Sequence, residues 1–231
     1  MIASRQLSFY SDKMVLAMHL DAPTVTFSQG AVPQPAQILC AWFGSAELRA
    51  PVEEPYRRLW FSPSEANDKG LARDFGQVVE RALAGQLDDW SATLTGELAL
   101  VLLCDQFTRN IYRGTSSAFA GDARAQQLAL AVIQRGDHHR LGLYQRAFLG
   151  MPLEHGESEE MQQRSVAFFD QLRKVRWNSA EETAQADSFY RYAVAHRDVI
   201  DRFGRYPHRN AALGRVSWPE EQQWLAQGGG F

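Results

Sequence analysis

Apolar positions recur at three- and four-residue spacing through most of the chain. Beyond residue 35 no stretch sustains the two-residue alternation of a half-buried strand. Helix punctuation is dense. Pro35 opens "AQILCAWF" and Gly44 closes it. "SPSE" (62–65) reads as a capping box, Ser62 with Glu65, and predicts a helix to about Leu83 with Gly85 behind it. Thr95 is the expected cap of "GELALVLLCDQF" (96–107), a helix apolar on nearly every side and therefore central.

Ala125, Leu128, Ala129, Val132 and Ile133 share one helix face, and Gly136 ends that helix. A helix around 140–150 follows. The next runs from Ser158 to about Val175, with Met161, Phe168, Phe169 and Leu172 inward. "SAEE" (179–182) caps a long helix to about Phe203, whose inward face holds Tyr192, His196, Val199, Ile200 and Phe203; "SWPE" (217–220) starts a last short one. The pattern predicts an all-α protein of eight or nine helices on short connections, so that sequence neighbours pack as antiparallel pairs.

Residues 1–35 carry no capping or periodic pattern and are read as a weakly ordered N-terminal extension, leaving 36–231 as a single all-α domain. "MVLAMHL" (14–20) is broken by His19 and followed by Asp21 and Pro23, which excludes a signal peptide.

Hydrophobic content of 45% and aromatic content of 11% supply a core that needs neither disulfide nor metal. A net charge of −3 gives no bulk electrostatic case for nucleic acid or an anionic membrane. The longest apolar run, "LALVLLC" (98–104), is far short of a membrane span. Cys40 and Cys104 sit in apolar runs as small core residues, which suits a reducing, cytoplasmic setting.

One phrase occurs twice: Asp105-x-Phe107-x-Arg109 and Asp201-x-Phe203-x-Arg205. Asp and Arg four apart share a helix face, so the plain reading is an ion pair at a helix end. Asp105 follows seven apolar residues, so its carboxylate is expected to be partly buried and paired. "HRDVIDRFGRYPHRNAALGR" (196–215) holds five arginines and two histidines against two aspartates. It is either an anion seat or a solvated basic loop.

The two helix ends are expected to meet, presenting Arg109, Asn110, Arg113, Arg205, His208, Arg209 and Asn210 around one recess. His196 would form its floor and His155 its rim, while Asp105, Asp122, Glu157 and Asp201 are the carboxylates able to compensate the arginines. His196 is then either a hydrogen-bonded core histidine or an acid–base group. His155, Glu157 and His196 lack the spacing of known metal motifs, so no metal is expected. No phosphate loop, dinucleotide fingerprint or nucleophile elbow is present, and no cofactor is implied.

"AWFG" (41–44), "LWF" (59–61), "LALVLLCDQFTRNIYRGTSSAFAGDARA" (98–125), "MPLEHGES" (151–158), the 196–215 stretch and "SWPEE" (217–221) occur in an order that resembles a bacterial domain-of-unknown-function family, number 924. The resemblance runs from about residue 36 to the end. It implies an all-helical, tetratricopeptide-like stack and leaves activity open. Cys104 and Thr108 stand where the family usually has Leu and Pro, and Gly156 where it usually has Ser.

Two function classes follow. One is a pocket for a small anionic molecule with a histidine as acid–base group, His196 or His155 beside Asp105. The other is a tetratricopeptide-like module whose arginines grip an acidic peptide.

Overall fold

The structure is a computed structural model, and it describes residues 33–61 and 64–230. Most of the expected N-terminal extension, and Ser62 of the expected first capping box, lie outside the described residues. Within them the chain is all-helical: α1 (Pro35–Phe43), α2 (Glu54–Phe61), α3 (Glu65–Leu83), α4 (Leu94–Leu102), α5 (Thr108–Ile111), α6 (Asp122–Gln134), α7 (Leu143–Glu154), α8 (Glu159–Arg173), α9 (Ala180–Phe203) and α10 (Pro219–Ala226). A π-turn, Leu103–Phe107, joins α4 to α5 without a break. Counted as one rod, these give nine helices among the described residues.

Caps fall where short polar side chains can reach the first free N–H groups. Ser64, not Ser62, caps α3 by accepting from the Asn67 N–H; Thr93, not Thr95, caps α4 by accepting from the Gly96 N–H. Ser158 and Ser179 cap α8 and α9 as the sequence predicts. At the start of α10 the N-cap is Trp218, whose N–H donates to Glu221 Oε2 at 2.7 Å, so Glu221 takes the capping role expected of Ser217 and Glu220. Gly204 stops α9 in the left-handed region (φ 68°), its N–H bonding the Ile200 carbonyl at 2.7 Å.

Two helices form the centre. Residues 98–104 are wholly buried, as the continuous apolar run demands. Every residue of α7 is buried too, including Gln145, Arg146 and Glu154, and this helix runs four residues beyond the expected 140–150. α4 packs on α1, α6 and α7; α7 packs on α6, α8 and α9; α8 and α9 form the most extensive pair. Gly150 lets α8 close onto α7, since a Cβ there would sit 2.4 Å from the Phe168 ring. Tyr192, expected inward on α9, is 53% exposed, whereas His196, Val199, Ile200 and Phe203 are buried. Val199, Ile200, Phe203 and Tyr206 make a second small cluster with Trp224 of α10.

The π-turn widens the central rod by one residue, and side chains answer the backbone groups it displaces. Thr108 Oγ1 donates to the Cys104 carbonyl at 2.8 Å, and Arg109 Nη1 donates to the Asp105 carbonyl at 3.0 Å. Gly121 lies against this turn; a Cβ there would fall 2.1 Å from the Cys104 oxygen.

Candidate functional site

Asp105 sits inside the π-turn with no exposure, and a buried carboxylate needs compensation. It has three partners. Arg109 Nη1, one turn on, is 2.9 Å from Oδ1; His155 Nδ1, at the end of α7, is 2.6 Å from the same oxygen; Gln106 Nε2 donates to Oδ2 at 2.6 Å. Burial alone would raise the Asp105 carboxyl. Arg109 and then His155 outweigh it and hold the group well below the usual carboxylate range. An ionised carboxylate can only accept, so His155 donates through Nδ1–H and keeps Nε2 as its basic nitrogen. Burial and Arg109 push the His155 imidazole below its ordinary value, more than Asp105 lifts it. The ring is therefore neutral near pH 7.

Arg109 is shared. Its Nη1 and Nη2 also lie 2.8 Å from Oδ1 and 3.0 Å from Oδ2 of Asp122, the first residue of α6. The other partner of the Asp122 carboxylate is Arg209, whose Nη1 is 3.4 Å from Asp122 Oδ2 and donates to the His155 carbonyl at 3.1 Å. The Arg209 guanidinium lies 4.8 Å from the Phe119 ring centroid and 4.5 Å from that of Tyr206. Its Nε is buried with no hydrogen-bond partner among the described residues.

Behind this cluster the His196 ring stands 6.2 Å from His155 and 5.7 Å from Tyr206, with Nδ1 2.9 Å from the Tyr192 carbonyl. Burial, and then His155, lower it to about 3, so it stays neutral. Tyr206 Oη donates to the Glu154 carbonyl and accepts from Gln162 Nε2 at 2.9 Å. The Glu154 carboxyl is raised well above its ordinary value by burial and then by Asp105, and its Oε1 has no hydrogen-bond partner among the described residues. Asp105 is thus held toward its ionised form and Glu154, near enough to feel that charge, toward its protonated form.

A family model described as "Bacterial protein of unknown function (DUF924)" matches residues 38–229. The chain belongs to this family. A solved structure of a protein of unknown function from Agrobacterium tumefaciens is similar to it, with 34% identity, a TM-score of 0.61, and coverage of 73% of this chain and 88% of that one. No curated protein matches significantly.

On this DUF924 fold most of the residues singled out in the sequence fall into three groups. Asp105, Arg109, His155, His196 and Arg209 come together as described. Arg205 and Asn210 serve a different carboxylate. Arg205 Nε and Nη2 lie 2.7 Å and 2.9 Å from the buried Glu221, and Asn210 Nδ2 donates to Glu221 Oε2 at 3.1 Å. Arg113 forks onto Asp68 of α3 at 2.7 Å and 3.0 Å and donates to Asn110 Oδ1 at 2.8 Å, while Asn110 Nδ2 donates to the Gln106 carbonyl at 2.7 Å.

His208 is exposed, its ring 5.5 Å from Tyr206. The second Asp-x-Phe-x-Arg phrase forms no internal ion pair: Asp201 lies 3.5 Å from Arg197 instead. The helix carrying the first phrase also continues past it, to Ile111. The two regions are linked through Arg209, which shares Asp122 with Arg109. Glu157 is held by Arg215 at 2.6 Å and by the Tyr206 N–H at 2.8 Å.

Sequence reasoning passed over Glu154, Tyr206 and Gln162. The available signal was Glu154 at the end of an uncharged apolar stretch, "LGMPLE". Two surface depressions lie away from the cluster, one along α3 by Gln77, Glu80 and Arg81, one by Thr93, Glu97 and Arg135. No helix among the described residues is long and apolar enough to cross a membrane.

Proposed function

We propose that Asp105 and His155 form an acid–base centre acting on a small anionic molecule, with His155 Nε2 moving the proton and Arg209, backed by Arg109, holding the anion. The observation that carries this reading is the 2.6 Å contact between His155 Nδ1 and a wholly buried carboxylate. Such a carboxylate fixes the tautomer and orientation of an imidazole and stabilises the imidazolium formed on proton uptake. His155 keeps 15% of its side-chain exposure while Asp105 keeps none, so the imidazole is the member of the pair within reach of a solute. Of the two arginines on Asp122, Arg209 has the longer pairing, 3.4 Å, and an Nε without a hydrogen-bond partner among the described residues.

A peptide-gripping module would need further arginines free on an open face, whereas Arg113 and Arg205 are each held at two points by Asp68 and Glu221. The neighbour-to-neighbour packing of α6, α7, α8 and α9 supports a tetratricopeptide-like stack beneath this centre, and the two free cysteines, Cys40 and Cys104, fit a cytoplasmic setting.

Pools of small carboxylates and phosphate esters, incubated with the protein and followed by mass spectrometry, test the reading. A compound consumed by the wild type and spared by a folded His155→Asn variant is the expected result. Equal consumption by both, or none by either, would reduce the cluster to a structural lock.

A further inference from the structure

A second basic cluster lies at the opposite end of α7, and here the charge is not compensated. Arg146, in the first turns of α7, is only 5% exposed, yet among the described residues no carboxylate lies within ion-pair distance of it. Its Nη2 donates to the Leu141 carbonyl at 3.3 Å, its guanidinium lies 5.4 Å from the Trp177 ring centroid, and its Nε is buried without a hydrogen-bond partner. Burial and then Arg49 push this guanidinium below its ordinary value. Arg49, exposed on the loop before α2, likewise has no ion pair and reaches the His139 carbonyl at 3.4 Å.

Beside them His138 is 6% exposed with Nδ1 buried and unpartnered, its ring 3.9 Å from His139. Asp137, the nearest acid in the sequence, is taken by Arg135 at 3.1 Å and Arg140 at 3.3 Å. The N-cap of α7 is Gly142, which offers no capping side chain, and its N–H is tied to the Leu48 carbonyl at 2.7 Å, drawing the Arg49 loop onto the helix start.

An unpaired buried guanidinium is costly, and the cost falls when an oxyanion accepts its donors. The positive end of the α7 dipole adds to the same field. We propose that Arg49, His138 and Arg146, at the N-terminal end of α7, form an oxyanion-binding site for a phosphate or carboxylate group, separate from the Asp105–His155 centre. Arg146 is the buried anchor and Arg49 the exposed arm that closes on the anion. His138 is held neutral, at about 4, by burial and the neighbouring His139 and Arg146, against a backbone hydrogen bond at Ile133 that raises it, so it lines the site without adding charge.

The test uses inorganic phosphate, acetate and glycerol phosphate as probes, titrated into the full chain at constant ionic strength with chloride as the balance. Thermal melting and calorimetry are read for the wild type, Arg146→Met, Arg49→Ala and His155→Asn. Saturable binding of at least one probe to the wild type and to His155→Asn is expected. Binding should weaken about tenfold or more in Arg49→Ala and vanish in Arg146→Met.

Arg146→Met should melt no lower than the wild type in chloride alone, because it removes an uncompensated charge. Preference for glycerol phosphate over phosphate would identify a phosphate ester, and preference for acetate a carboxylate. No binding beyond that of chloride, or binding that survives both arginine variants, overturns the proposal. Binding lost only in His155→Asn would also overturn it and would return the anion to the other centre.

Discussion

His155 Nδ1 meets Asp105 Oδ1 at 2.6 Å, joining the end of α7 to the π-turn that follows α4. Asp105 cannot be relieved by water, so the contact is as much a demand of the fold as a chemical device. Asp105→Asn would leave Arg109 and His155 facing an amide. Chemical denaturation should show a loss of about 3–5 kcal/mol, the usual cost of breaking one side of a buried pair. Glu154→Gln replaces a carboxyl that burial pushes toward its protonated form, and should cost under about 1 kcal/mol. Equal losses in the two variants would mean that the two carboxyls are not held in opposite states.

Acid should unfold the protein partly through His196. The unfolded chain takes up a proton near 6.5, whereas the folded ring resists until about 3. Between those values stability is lost as pH falls. Glu154 works the other way, its raised folded value removing stability as pH climbs above the ordinary carboxyl range. Urea midpoints from pH 7.5 to 5 should therefore fall more steeply for the wild type than for His196→Gln. Parallel curves would place His196 in water.

Two glycines with opposite surroundings probe the π-turn. Gly121→Ala puts a methyl 2.1 Å from the Cys104 oxygen, so the turn must shift, and a loss of about 1–3 kcal/mol is expected together with a changed His155 signal. Gly76→Ala, inside α3 with nothing within 4 Å, should gain up to about 1 kcal/mol. A tolerated Gly121→Ala would show that the turn is free to relax.

Much of the fold was legible because its signals are local. Pro35, Gly136, Ser158, Ser179 and Gly204 each mark a helix boundary, as a first-turn proline, a cap or a left-handed glycine, and "LALVLLC" announces a helix buried all round. The site was legible only in part. Asp105 and Arg109 are one turn apart, and the apolar run before them implies a buried pair.

Which distant residue completes that pair depends on packing. Asp201 stands one turn before Arg205, yet Glu221 takes Arg205 because α10 folds back over the end of α9. The π-turn leaves no mark in apolar spacing over so short a stretch. Arg49 comes near enough to Arg146 to lower its guanidinium only because the start of α7 is tied to the loop before α2 through Gly142 and Leu48.

The Arg205–Glu221 contact should behave as a clasp on α10. Glu221 accepts from Arg205, Asn210 and the Trp218 N–H. Glu221→Gln should speed amide exchange across 217–226 while leaving residues 94–111 as protected as before. Faster exchange in both segments would make α10 part of one cooperative unit with the core.

Nitrogen-detected NMR of His155 reads the Asp105–His155 pair itself. The expected result is the Nδ1–H tautomer, a strongly deshielded Nδ1 proton that Asp105→Asn abolishes, and a titration midpoint below the ordinary histidine value. An Nε2–H tautomer, or a ring that titrates as it would in a free peptide, would contradict it.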